Sequence, residues 1–187
     1  MSKPVLRVII GSTRPGRIGP AVADWITDRA RQQGDFEVEV TDLGELNLPI
    51  FDEPHHPRLR RYVHQHTRDW SAIVDGSDAF VFVIPEYNHS FNAATKNAVD
   101  YLHQEWQNKP AGIVSYGGAS GGVHAARMLE PVLSTLNMVP VADSVNIRSI
   151  REHLDGGGRL LPDQATQAAA DVMLTELADQ AELLRAA

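Results

Sequence analysis

The chain has 187 residues, a formal net charge of −7, 43% hydrophobic and 22% charged residues, and no cysteine. That length suits one domain with a well-buried core, while the acidic balance argues against a general role on nucleic acid or anionic membranes, where a basic face supplies affinity. The missing cysteine excludes disulfides, thiolate catalysis and zinc–thiolate sites. No apolar stretch approaches the ~20 residues that span a bilayer, and the opening Met-Ser-Lys-Pro runs straight into a strand-like segment without a secretory core. The expected location is the cytoplasm.

Val5–Ile10 is an almost continuous apolar run, as expected of a parallel strand buried on both faces. Ile18, Ala21, Val22, Trp25 and Ile26 then recur at helical spacing until Gly34. Phe36, Val38 and Val40 alternate with charged residues, which predicts a strand near a sheet edge. The loop Asp42–Pro57 contains Leu46, Leu48, Ile50 and Phe51, is too long and apolar for a simple turn, and is expected to pack near a functional rim. A helix is predicted from Leu59 to about Gly76, with Val63, Trp70, Ile73 and Val74 inward. The strand Ala79–Ile84 follows and ends at Pro85; then come a helix over Phe91–Trp106 and a strand over Lys109–Val114. Glycines open a helix over Val123–Leu136 that carries Pro131, and Val139–Val145 reads as a fifth strand. Beyond the Gly156-Gly157-Gly158 turn, Pro162 opens a long helix with Ala165, Ala168, Val172, Leu177, Ala181 and Leu184 inside. Five strands alternating with five helices, without a break in composition, predict an α/β class protein: one doubly wound domain over residues 1–187.

Three loops follow apolar strands: Gly11–Gly19, Pro85–Ser90 and Ser115–Gly122. In an open α/β sheet such loops share one rim, and ligands bind there. In the first, Ser12 and Thr13 offer hydroxyl donors, Arg14 or Arg17 a forked cation, and the following helix its N-terminal amides, which together suit a phosphate. The Lys-Ser/Thr pair of a Walker loop and the Gly-x-Gly-x-x-Gly of a Rossmann turn are both absent. A plain Gly/Pro turn with solvated arginines is the alternative, and the placement of every donor between strand and helix favours phosphate. In the second loop Tyr87 offers a stacking face and Asn88 an amide. In the third, Gly117 and Gly118 leave backbone N–H groups open to the edge of a flat ligand.

The remaining polar residues carry weaker signals. His55, His56, His64 and His66 lie close in sequence, but two residues apart on a helix do not share a face, and no metal site is expected. Asp52 and Glu53 read as exposed carboxylates, Lys96 and Asn97 as surface or interface groups, and Trp25, Trp70 and Trp106 as packing residues. No Gly-x-Ser-x-Gly elbow supports a Ser-His-Asp triad.

Gly11-Ser12-Thr13-Arg14, Pro85-Glu86-Tyr87-Asn88 and Gly117-Gly118-Ala119-Ser120-Gly121 together resemble the NADPH-dependent FMN reductases of flavodoxin-like fold, from the first strand to at least the fifth. The resemblance implies a five-stranded parallel sheet of order 2-1-3-4-5 with helices on both faces, non-covalent FMN, NAD(P)H as co-substrate, and a homodimer or homotetramer. Carried over by position, Ser12, Thr13, Arg14, Arg17, Ile18 and Gly19 hold the phosphate, Pro85, Glu86, Tyr87 and Asn88 border the ring and ribityl chain, and Ser115, Tyr116, Gly117 and Gly118 line the pyrimidine edge. Many members have Ser, an apolar residue and Asn where this chain has Arg17, Ile18 and Gly19, so two side-chain donors are exchanged for a cation. The implied activity passes hydride from nicotinamide to flavin N5 and then electrons to a quinone, a flavin or another small acceptor, with no catalytic side chain required. Two rivals stay open at this level: a flavodoxin-like electron carrier that binds FMN without turning over NAD(P)H, and a non-catalytic nucleotide-binding module.

Overall fold

The central strands send side chains alternately to the two faces of one sheet, and helices cover both faces, in the computed structural model, which describes residues 2–186. The strands are β1 (Val5–Ile10), β2 (Glu37–Asp42), β3 (Ala79–Pro85), β4 (Pro110–Tyr116), β5 (Val139–Pro140) and β6 (Val145–Ile147). The helices are α1 (Gly19–Gln33), α2 (Leu43–Leu46), α3 (Gln65–Asp75), α4 (Ala93–Asp100), α5 (Val123–Thr135) and α6 (Gln164–Arg185). All pairings are parallel, in the order β2-β1-β3-β4-β5, with β6 also on β4. This is the expected flavodoxin-like order.

The pleat explains the two cores. Leu6, Val8 and Ile10 of β1 and Val81 and Val83 of β3 pack with Val22 and Ile26 of α1 and Met173 and Leu177 of α6. Ile9, Phe80, Phe82 and Ile84 pack on the other face with Trp70, Val99, Leu129 and Leu133 from α3, α4 and α5. The Trp106 ring lies 5.1 Å from Phe80 and 5.8 Å from Trp70, and its indole N–H donates to the Val99 carbonyl at 3.2 Å. Trp70 and Trp106 are thus packing residues as expected, with Trp25 partly buried beside the first core.

Three boundaries differ from the sequence reading, each beside a particular carboxylate. The helix expected from Leu59 starts only at Gln65, because the Glu53 carboxylate takes the N–H groups of Val63 and His64 at 2.8 and 3.1 Å and holds them extended. Val63 is therefore exposed, and Glu53 is a buried strut. The helix expected over Phe91–Trp106 stops at Asp100, and Trp106 ends a short 3-10 turn. Buried Glu105 anchors that turn by accepting hydrogen bonds from Tyr62 and Ser71 at 2.8 and 2.7 Å. The fifth strand breaks into β5 and β6 because the Ala142 N–H turns away from β4 to the Glu176 carboxylate of α6.

In α6 the buried stripe is Ala170, Met173, Leu174, Leu177 and Ala181, while Ala165, Ala168 and Val172 are exposed. An alanine-rich helix offers little contrast between faces, so its rotation is set by what it packs against. Leu177→Ala is expected to cost about 2–5 kcal/mol and Val172→Ala no more than about 0.5 kcal/mol, as read by urea unfolding.

Candidate functional site

The chain winds outward in opposite directions from β1 and β3, and the loops after these strands and after β4 meet at their carboxyl ends. The first loop is seated by the Gly11 N–H, which donates to Val83 at 2.9 Å, and by the Asn92 amide, which donates to Gly11 at 2.6 Å. Helix α1 then begins at Gly19 with no side-chain cap and no acidic residue in its first turn, so its leading amides keep their donor capacity. Two buried hydroxyls without hydrogen-bond partners, Ser12 Oγ and Tyr116 OH, abut this helix end. A Cβ on Gly19 would fall 2.2 and 3.0 Å from them, so only glycine lets α1 settle there. Uncapped amides beside unpartnered hydroxyls are what an anion such as a phosphate uses, and the residues fit that group.

The two arginines of this loop part company. Arg17 forks onto Asp42 at 2.5 and 2.7 Å and donates to the Ser12 carbonyl at 2.6 Å, while Asp42 also caps α2 through the Gly44 N–H. Its charge is met within the chain, so the expectation that Arg17 serves the phosphate as a free fork gives way to a staple between the first loop and β2. Arg14 is exposed, makes no ion pair among the described residues, and stands 6.0 Å from the centroid of the Tyr87 ring. Thr13 faces a separate hollow with Leu43, Gly44 and Asn47.

The second loop closes on itself. Tyr87 and Ser90 exchange backbone hydrogen bonds at 2.8 and 3.0 Å, and Asn88 and His89 between them have φ of 49° and 62°. This is a turn of the kind that favours Asn-Gly, and a left-handed non-glycine residue costs about 1–2 kcal/mol. Glu86 accepts from the Ser120 hydroxyl at 2.8 Å and the His124 N–H at 3.1 Å. Its carboxylate, expected at the ring border, ties the second loop to the third.

The third loop turns Ser115 inward. Its hydroxyl donates to Asn146 at 2.8 Å, so this side chain holds the loop rather than lining an edge as expected. Gly122 at φ 90° sits so close that a Cβ would be 2.6 Å from Ser115 Cβ and from the Tyr116 nitrogen. The Gly117 N–H lies 3.3 Å from the Ile147 carbonyl, whereas the Gly118 N–H has no partner among the described residues. The carbonyls of Gly117 and Gly118 accept from Ile150 and Ser149, fastening a 3-10 turn, Ile150–His153, to the rim.

These pieces frame a cleft of about 140 Å³ lined by Arg14, Arg17, Ile18, Pro85, Glu86, Tyr87, Tyr116 and Gly117, with Ile150 and Arg151 on the far side. Sequence reasoning missed the last two. Their only signal was position: they follow β6, which runs parallel to β4 and ends on this rim.

The residues set aside earlier lie outside this lining. The His64 and His66 rings stack at 5.1 Å, since His64 is extended ahead of α3 rather than one turn within it. Asp52 is not a free carboxylate: it accepts from Tyr101 OH at 3.0 Å and pairs with His66 at 3.0 Å. Burial works against its charge, but the hydrogen bonds from His66 and Tyr101 win and hold its carboxyl below the usual range. Asn97, read as a surface group, grips the long loop by donating to Pro49 at 2.7 Å and accepting from Phe51 at 2.9 Å.

Residues 5–152 match the family described as NADPH-dependent FMN reductase. The chain belongs to that family. It is 40% identical over 137 residues to an NAD(P)H-dependent FMN reductase of Schizosaccharomyces pombe, covering 72% of this chain and 68% of that protein. It is 30% identical over 137 residues to a quinone reductase of Pseudomonas putida, covering 70% of each. The solved structure of FerB, a flavoenzyme NAD(P)H:(acceptor) oxidoreductase from Paracoccus denitrificans, shares the fold with a TM-score of 0.75 at 20% identity, over 96% of this chain and 98% of that one. This FMN reductase relative is accordingly an oxidoreductase that uses FMN and NAD(P)H.

Burial pushes the Tyr116 phenol up to about 12 from 10.0. An acid whose folded pKa is raised contributes stability that is complete below the unfolded value and lost as pH climbs to the folded one. Stability is therefore expected to fall between pH 10 and about 12, and Tyr116→Phe to flatten that part of the fall. Urea midpoints measured across this range for both proteins check it.

Proposed function

We propose that the cleft holds FMN with its phosphate at the N-terminus of α1 and its ring between Tyr87 and the third loop. The observation that carries this reading is the group of unpartnered donors at one point: Ser12 Oγ, the uncapped α1 amides and the unpaired Arg14. Arg17 acts indirectly, holding the Ser12 carbonyl and Asp42 so that the loop keeps its shape. Tyr116 closes the floor, and Glu86 with Ser115 fixes the second and third loops in register. The free Gly118 N–H is placed to meet negative charge at a ring edge, where a preorganised donor is most effective. When bound, FMN supplies the acceptance of hydride from NAD(P)H and the delivery of electrons onward.

The proposed acceptor is a small flat molecule of the quinone class, supported by the similarity to a quinone reductase and by a cleft walled by Tyr87, Ile18 and Ile150. The protein is proposed to act as a homodimer or homotetramer in the cytoplasm. Exposed Ile50, Leu59 and Met128, together with a hollow of about 840 Å³ between Phe51, Leu102, Pro131 and Leu136, support assembly. Among the described residues no helix is long and apolar enough to cross a membrane.

Titration with FMN, followed by flavin fluorescence, tests the placement. Arg14→Ala is expected to weaken FMN binding at least about tenfold, or ~1.4 kcal/mol, with the unfolding midpoint unchanged. Nothing lies within 4 Å of a Cβ on Gly118, so Gly118→Val is expected to fold normally and lose flavin. Undiminished affinity in both variants would refute the placement. Anaerobic mixing with NADPH separates a reductase, whose flavin bleaches rapidly, from a carrier, whose flavin stays oxidised.

A further inference from the structure

His89 stands at the second central position of a turn that favours glycine there, with φ of 62°. The strained backbone brings its imidazole against that of His124, at the start of α5. The two rings are parallel within 5° and 4.4 Å apart. Ligand atoms of Glu86, His89 and His124 all lie within 4.8 Å of one another, and among the described residues no other group of three gathers this way. We propose that Glu86, His89 and His124 form a binding site for a divalent transition-metal ion of the zinc type, joining the second loop to α5.

The donor set is the first argument. Two imidazole nitrogens and a carboxylate oxygen suit Zn²⁺, whereas Mg²⁺ prefers oxygen alone. A tetrahedral zinc site spaces its ligand atoms roughly 3.4 Å apart, so side-chain rotations of about an ångström complete the set, and His89 is exposed and free to make them. Orientation is the second argument. The Glu86 carboxylate is already aimed by the Ser120 hydroxyl and the His124 N–H, as outer partners aim metal ligands, and each oxygen keeps a lone pair. Charge is the third. The positive end of α5 opposes a cation, and the Glu86 carboxylate beside it supplies the compensating charge.

The other histidine group differs in kind. Asp52 accepts from Tyr101 and pairs with His66 at 3.0 Å each and lies 3.9 Å from His64, but the ligand atoms of Asp52, His64 and His66 do not all gather within 4.8 Å of one another. The link between His89 and His124 is hidden in the sequence by the 34 intervening residues.

Calorimetric titration and thermal unfolding of the tag-free full chain, with Zn²⁺ and with Mg²⁺ as control, test the site. Zn²⁺ is expected to bind and raise the unfolding temperature, and Mg²⁺ to do neither. His89→Gly and His124→Gln are each expected to weaken Zn²⁺ binding at least about tenfold. The metal-free His89→Gly protein is expected to be no less stable than the parent, since glycine accepts this backbone freely. No Zn²⁺ binding by the parent, or unchanged affinity in both variants, would overturn the proposal. So would loss of binding in a His64→Gln/His66→Gln double variant with binding intact in the other two. None of these readouts uses turnover, so they stand apart from the flavin tests.

Discussion

The parallel pairing of β1 with β3 is the constraint on which the site depends. Because the chain leaves β1 towards β2 on one side and returns through β3 on the other, the loops after β1 and β3 diverge and leave a crevice between them. The Gly11 N–H on the Val83 carbonyl fixes the level of the first loop against the second. The register Pro85 to Tyr116 then sets the third loop beside the second. Everything polar at the rim is arranged around this crossing.

Polar side chains near the crevice divide into those that are consumed and those that remain available. Arg17, Glu86 and Ser115 are consumed: each has a partner inside the chain and shapes a loop. Arg14, Ser12 and the Gly118 amide remain available. A buried hydroxyl without a partner carries a desolvation cost of about 1–3 kcal/mol, and a helix end without a cap costs about 0.5–2 kcal/mol. Their coincidence at Gly19 is what supports the proposed anion site. The exchange of side-chain donors for Arg17 and Gly19 is compatible with this, since Arg17 reinforces the loop and Gly19 lets α1 approach the two hydroxyls.

Much of the fold was legible in the chain. The apolar runs that became β1, β3 and β4 are continuous because both faces are covered, and Gly34 ends α1 in the left-handed conformation expected of it. The less legible elements were those whose ends are set by distant partners. Glu53 delays α3, Glu105 takes over after α4, and Glu176 breaks the fifth strand. No periodicity near those helices announces a carboxylate brought in from another part of the chain. The rotation of α6 was illegible for a different reason, because alanine fits either face.

By itself, the sequence determined the α/β class, the strand alternation and the three loops that gather on one rim, since these rest on local hydrophobic pattern and turn residues. Only the tertiary structure decided which members of each loop face outward. Two arginines three residues apart look equivalent in a sequence, yet Asp42 claims one and leaves the other. Two histidines far apart look unrelated, yet the turn at Asn88-His89 and the start of α5 bring them face to face. The availability of a side chain is a property of its partners, and partners are assigned by packing.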